Sequence, residues 1–196
     1  IRRVRDGGLR RHKDREPGRT AHGSASLQGG VFNRRWQMKP GTAGINPFGT
    51  TDDSVKMNPP RGSPDMLRPA GPIDPEIAFL AVENLKGNPL ALLANYSLHY
   101  VGGTGGGEAS ADYFGIFANR IADLLGASDK TKPFVGMMSN GTSGDINNID
   151  FRAPGVRQEP YEQMRIVARK AADVVHRAYQ EDRKSTRLNS SHDVNS

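Results

Sequence analysis

Two stretches of this sequence carry residue types and spacings suited to chemistry. The first ends in His99. It runs Pro89-Leu90-Ala91-Leu92-Leu93-Ala94-Asn95-Tyr96-Ser97-Leu98-His99 and then breaks into the glycine-rich segment 102–107. A strand that ends in a histidine and opens into a flexible loop suits metal ligation: the scaffold fixes the ring and the loop admits a substrate. The same pattern fits a histidine that caps a strand by bonding the backbone. Most lone histidines bind no metal, so the pattern alone favours the structural role.

The second stretch is Ser139-Asn140-Gly141-Thr142-Ser143-Gly144-Asp145-Ile146-Asn147-Asn148, directly after the apolar run Phe134-Val135-Gly136-Met137-Met138. It joins hydroxyls, amides, glycines and one carboxylate. Backbone N–H groups in such a loop stabilise an oxyanion, and Ser143 or Asp145 can act on a substrate. A solvated turn held by Asx hydrogen bonds accounts for the same composition. Other chemistries are excluded by spacing. The glycines at 102–107 are not followed by Lys-Ser or Lys-Thr, and they lack the dinucleotide-binding spacing. Gly141-Thr142-Ser143-Gly144 is not a nucleophile elbow, because its second glycine comes one residue early. Asn95-Tyr96-Ser97 and Asn140-Gly141-Thr142 match the glycosylation pattern. The first is discounted because it falls in an expected core strand.

The elements that must position these groups are legible in part. Glu76–Glu83 and Leu90–Leu98 read as two strands joined by the turn Asn84–Pro89, a β-hairpin whose second strand delivers His99. The uninterrupted apolar first half of that second strand is the pattern of a strand covered on both faces. Phe114, Phe117, Ile121, Leu124 and Leu125 recur at helical spacing, predicting a helix over 113–125 with Ser110 or Asp112 as N-cap and Gly126 at its end. Met164, Val167, Ala168, Ala171, Val174, Val175 and Ala178 form the core stripe of a second helix over 160–182. Val31–Met38 alternates in part and reads as a short strand ended by a turn. Residues 42–75, with Asn46-Pro47, Asn58-Pro59-Pro60 and Gly71-Pro72, read as a long loop.

Bulk properties narrow the class. The chain has 196 residues, 35% of them hydrophobic, with 23 Gly and 13 Pro. A compact core is expected only in its middle. There is no cysteine, which removes disulfides and thiolate metal sites and leaves His, carboxylate, Tyr or amide ligands for any metal. No apolar run is long enough to span a bilayer. Of the net charge of +6, the excess lies in residues 1–40, where eleven Lys and Arg face three Asp and Glu. Phe32 and Trp36 are the only aromatics there and no binding motif accompanies them, so residues 1–30 read as a solvated, irregular segment and no nucleic-acid partner is expected. The chain begins at Ile1, which reads as a fragment whose true start is missing. The tail 183–196 departs from the helix pattern and resembles a translated adapter sequence, so it is set aside as non-native.

Four segments, taken in order, resemble the neutral/alkaline non-lysosomal ceramidase family. They are Phe32-Asn33-Arg34-Arg35, Leu92–His99, Ser110-Ala111-Asp112-Tyr113-Phe114-Gly115 and Ser139–Asn147. The resemblance covers residues 30–180 and implies a piece of that family's N-terminal catalytic domain. It implies zinc-dependent hydrolysis of the amide bond of an N-acyl sphingoid base or related lipid. His99 matches a zinc-ligating histidine. Ser110 and Asp112 match a loop near the substrate, and Ser143, Asp145 and Asn147 match the catalytic loop. The family's catalytic serine is replaced by Asn147, an amide with no ionisable hydroxyl. The other family ligands fall outside this chain, so the resemblance implies an incomplete zinc site and an inactive fragment. A non-catalytic binding protein that keeps the fold is the competing implication. The resemblance also implies a lipid or amide substrate, contact with a membrane surface and an extracytoplasmic or secreted setting. The expected fold is α/β, or α+β, with a mixed sheet packed by two helices.

Overall fold

The computed structural model describes residues 17–129 and 134–192, with the backbone alone from 184 onward. Nine strands and two helices are present among them. The main sheet holds four strands in the order β1 (Gly18–Ser26), β6 (Glu76–Asn84), β7 (Pro89–Tyr96) and β8 (Val135–Asn140). β1, β6 and β7 pair antiparallel, whereas β7 and β8 run parallel, so the sheet is mixed as expected. A two-stranded sheet joins β2 (Phe32–Asn33) to β9 (Ile146–Asn147). A three-stranded sheet places β3 (Arg35–Met38) between β4 (Val55–Met57) and β5 (Met66–Pro69). Helix α1 spans Asp112–Leu124 and helix α2 spans Glu162–His192.

The expected β6–β7 hairpin is present, with Phe79 opposite Ala94 and Ile77 opposite Tyr96. Strand alternation sends Ile77, Phe79, Ala81, Leu92, Ala94 and Tyr96 to one face, each at most 4% exposed. Both helices pack on this side. α1 lies against β8 and α2 against β1, and the helices meet each other. Tyr113, Phe117 and Ile121 of α1, with Met164, Ala168, Ala171 and Val175 of α2, complete the core with no exposed surface. The approach is close at Gly136 in β8, where a Cβ would lie 2.6 Å from the Ala118 carbonyl oxygen. A smaller core of Trp36, Met38 and Phe151 sits on the three-stranded sheet.

Several expectations are corrected. Residues 18–26, read as part of an irregular basic segment, form β1; residues 1–16 lie outside the described residues. The core-facing side of β1 is Ala21, Gly23 and Ala25, which carries little hydrophobic signal because the Phe79 ring occupies the space above Gly23. The long loop 42–75 contains β4 and β5, whose pairing with β3 was hidden by the surrounding prolines. The second helix continues through the stretch set aside as a foreign tail, since no Gly or Pro interrupts the chain from 162 to 192 and an established helix propagates readily. Arg183, grouped with that tail, bonds the Gly87 carbonyl and the Tyr179 hydroxyl. The strand β7, read as covered on both faces, is covered on one face among the described residues: Leu93 is 38% exposed.

Candidate functional site

The parallel pairing of β7 and β8 sets Tyr96 opposite Asn140, so both strands end at the same edge of the sheet. Two loops leave from there, one carrying His99 and the other running from Gly141 to Asn148. Open sheets place ligands outside the carboxyl ends of parallel strands, because the loops that follow converge there. The two loops are stitched together. Gly141 N–H donates to the Tyr96 carbonyl at 2.9 Å. The Asn140 side-chain amide donates to the Leu98 carbonyl at 2.6 Å, and the buried Tyr113 hydroxyl donates to the same oxygen at 3.1 Å. Ser97 Oγ lies 3.3 Å from Asp74 Oδ2 and 3.4 Å from Thr142 Oγ1. His99 therefore follows a carbonyl fixed from two directions. Its half-buried ring lies 5.3 Å from that of Tyr100, which in turn meets Phe114 edge-on.

Asp112 holds the glycine-rich side of this edge. Its carboxylate accepts from Val101 N–H at 3.0 Å and Gly102 N–H at 2.8 Å, and it also accepts from Tyr113 N–H at 2.7 Å. Its own backbone sits at φ 50°, an uncommon conformation for a non-glycine residue. Ser110 Oγ accepts from Asp112 N–H at 2.9 Å and points its hydroxyl at Met164 Sδ. Neither residue is the helix N-cap, as the sequence pattern suggested. Ala111 takes that place with no side-chain cap, because Asp112 turns its carboxylate back to the loop. Ser110 and Asp112 are thus a latch between α1 and the His99 loop.

The second loop is gripped by residues 32–35. β2 pairs Phe32 with Asn147 and Asn33 with Ile146. The Arg34 guanidinium donates to the Gly144 carbonyl at 2.9 and 2.6 Å, and Arg35 pairs with the Asp145 carboxylate at 2.5 Å. Ser143 closes a turn through its carbonyl, which accepts from Ile146 N–H. Asn147 Oδ1 accepts from Ile149 N–H at 3.2 Å and from the Asn148 amide at 3.1 Å. Gln163 of α2 donates to Asn148 Oδ1 at 2.9 Å.

Two clefts open between these loops and their neighbours. One, of about 400 Å³, is lined by Asn33, Pro72, Asp74, Thr142 and Asp145 among others. The other, of about 240 Å³, is lined by Val101, Gly102, Gly103, Asn148 and Gln163 among others. Asp145 thus faces the first cleft, while His99, Ser143 and Asn147 line neither. Burial pushes the Tyr96 and Tyr113 hydroxyls far above the usual phenol range, with the Asp74 charge adding to the effect at Tyr96. Both stay protonated, and Tyr113 stays a donor to the carbonyl before His99.

No protein-family model matches the sequence, and no curated protein matches it. Solved structures do match. A ceramidase complexed with C2 superposes with a TM-score of 0.57 at 16% identity, over 85% of this chain and 23% of that chain. Neutral ceramidase from Pseudomonas aeruginosa superposes with a TM-score of 0.55 at 17% identity, over 90% of this chain and 25% of that chain. The fold is ceramidase-like. The chain spans about a quarter of the length of the ceramidases it matches.

Within this ceramidase-like fold, three of the four segments that carry the resemblance meet at the carboxyl edge of β7 and β8, and the fourth, Phe32–Arg35, clamps the loop there. Zinc is the metal the resemblance implies. The residues present do not make a site for it: among the described residues no group of three or more His, Asp or Glu is placed to hold a metal ion. His99 is a single donor. The sequence pattern missed Asp74, which sits in a Pro-rich loop and reaches the buried Ser97. It also missed Gln163, which sits between Glu162 and Arg165 at a polar helix start and carries no distinguishing signal.

Proposed function

We propose that this chain is part of a ceramidase-like amidohydrolase that cleaves the amide bond of an N-acyl sphingoid lipid or related amide. The observation that carries the reading is the convergence of the His99 loop and the 141–148 loop at one sheet edge in a ceramidase-like fold. In this reading His99 is one ligand of a zinc ion whose remaining ligands come from other parts of the protein. Asp112 and Ser110 hold the loop that presents it. Asp145, Ser143 and Asn147 border the substrate, and the clamp by Arg34 and Arg35 keeps their backbone N–H groups in place. The substrate is a lipid, so the protein works against a membrane surface.

The test uses the longest natural reading frame that contains this chain. Bound zinc is measured by elemental analysis and N-acyl sphingosine hydrolysis by release of the amine. His99→Ala is expected to lower both, with activity falling at least about 100-fold, as for loss of a metal ligand or its orienting partner. A His99→Ala protein that keeps its full metal content overturns the assignment.

A second reading is supported by Asn147. It stands where the resembling family has a serine, and its side-chain oxygen is occupied by a turn. A protein that retains the fold but binds the lipid without hydrolysing it has this arrangement. Lipid binding without amine release, unchanged by Asn147→Ser, is the expected result for that reading.

A further inference from the structure

The second face of the main sheet is apolar and open. In register across four strands, one row reads His22, Leu80, Leu93, Met137 and the next reads Thr20, Val82, Ala91, Val135. Leu80, Leu93, Met137 and Val135 are 44%, 38%, 40% and 37% exposed. A third row, Ser24, Ala78, Asn95 and Ser139, is small and uncharged, with Asn95 bonded to Ser139 across the strands. His22 apart, none of these positions carries an ionisable side chain. Sheets that face water on one side alternate apolar with polar residues; β1 does so, with Thr20, His22 and Ser24 outward, whereas β6, β7 and β8 turn Leu80, Val82, Leu93, Val135 and Met137 outward. Contiguous exposed apolar surface of this kind marks a buried contact in the working protein.

We infer that this face is covered by a second apolar layer of the same polypeptide, packed over Leu80, Leu93 and Met137. This rests on the reading of the chain as part of a larger ceramidase-like domain. The chain corresponds to about a quarter of each matched ceramidase, so such a domain has ample sequence to supply the layer. The opposite face is already occupied by α1 and α2. The layer would sit about 10 Å above the strands, the spacing of stacked sheets. It would also seal Asn95, so the glycosylation pattern at Asn95-Tyr96-Ser97 stays unmodified.

The chain has no cysteine, which allows single-thiol probes. Leu93→Cys and Met137→Cys are compared with Leu85→Cys, in the exposed hairpin turn, for maleimide labelling mapped by mass in the longest natural reading frame. The two sheet positions are expected to label at least about 100-fold more slowly than Leu85→Cys, because labelling then requires local opening. Equal rates in the folded protein overturn the inference. In the 196-residue chain alone, Leu93→Cys is expected to label at the rate of Leu85→Cys. Protection there that rises with protein concentration means that a second copy covers the face, and also overturns it. Labelling does not depend on turnover, so an inactive, metal-free protein with protected Leu93→Cys refutes the proposed hydrolase while leaving the covering layer intact.

Discussion

The two faces of the main sheet are built from similar residues and meet different fates. On one, Ile77, Phe79, Leu92 and Tyr96 are sealed by Phe117, Ile121, Met164 and Ala171. On the other, Leu80, Leu93 and Met137 meet no helix among the described residues. Strand alternation guarantees that neighbours in sequence go to opposite faces, so Leu92 and Leu93 sample both environments within one strand. The open face is chemically prepared for a partner layer that does not contribute here. Substitutions should therefore act very unequally on the two sides. Phe117→Ala removes a fully buried ring and should lower stability by about 3–5 kcal/mol, read as a fall in thermal midpoint and in the urea midpoint. Leu93→Ala in the same chain should cost less than about 1 kcal/mol, since the side chain already meets water. Similar losses for both would abolish the distinction between the faces.

Gly136 sharpens the comparison at the sheet edge. The Ala118 carbonyl stands 2.6 Å from where its Cβ would be, and a backbone oxygen cannot swing aside. Gly136→Val should push α1 off β8 and cost about 3 kcal/mol, the upper range for overpacking. Val135→Thr, one residue away on the open face, should be close to neutral. Asp112→Ala tests the link between the covering helix and the candidate site. It frees two loop N–H groups and should cost about 1–3 kcal/mol. Faster amide exchange at Val101 and Gly102 is the specific readout, and Asp112→Asn should restore part of the protection.

How far the sequence exposed all this depended on whether a residue's partner was local. The β6–β7 hairpin and both helices were visible because their signals are periodic within a few turns: Phe117 and Ile121 share a helix face, and Asn84–Pro89 closes one turn. β1 was not, because its core side is Ala21, Gly23 and Ala25 and its pairing lies 50 to 66 residues away in β6. The candidate site divides the same way. His99 and the 139–148 loop stood out by composition. The clamp by Arg34 and Arg35, the Asp74 contact and the double anchoring of the Leu98 carbonyl all join segments distant in the chain. Asp112 looked like a helix cap, and its bonds from Val101 and Gly102, eleven and ten residues back, show that it serves the preceding loop instead. The apolar run in β7 read as a strand covered on both faces, whereas among the described residues only the Leu92, Ala94 and Tyr96 face is covered and Leu93 is exposed.

The smallest effect expected on the covered face lies at the end of β6 away from His99. Tyr179 of α2 is buried and donates to Glu83, and Arg183 adds a long contact at 3.5 Å to the same carboxylate. Burial first, and then the Glu83 carboxylate, push the Tyr179 hydroxyl up to about 12. An unfolded chain releases that proton near pH 10. The folded pKa is raised, so the contribution is complete below pH 10 and fades as pH rises from 10 to about 12. Tyr179→Phe should cost about 1 kcal/mol at pH 8, the net value of one hydrogen bond. The gap between the two proteins should then close as pH is raised from 10 to 12, because only the parent loses stability through this group. Urea titrations at pH 8, 10 and 11.5 follow that convergence. The buried Tyr96 and Tyr113 remain in both proteins and shift both curves together, so they do not mask it. A gap that stays constant across this range would mean that Glu83 does not hold the hydroxyl proton, and this end of α2 would then be tied to β6 through Arg183 and apolar contact instead.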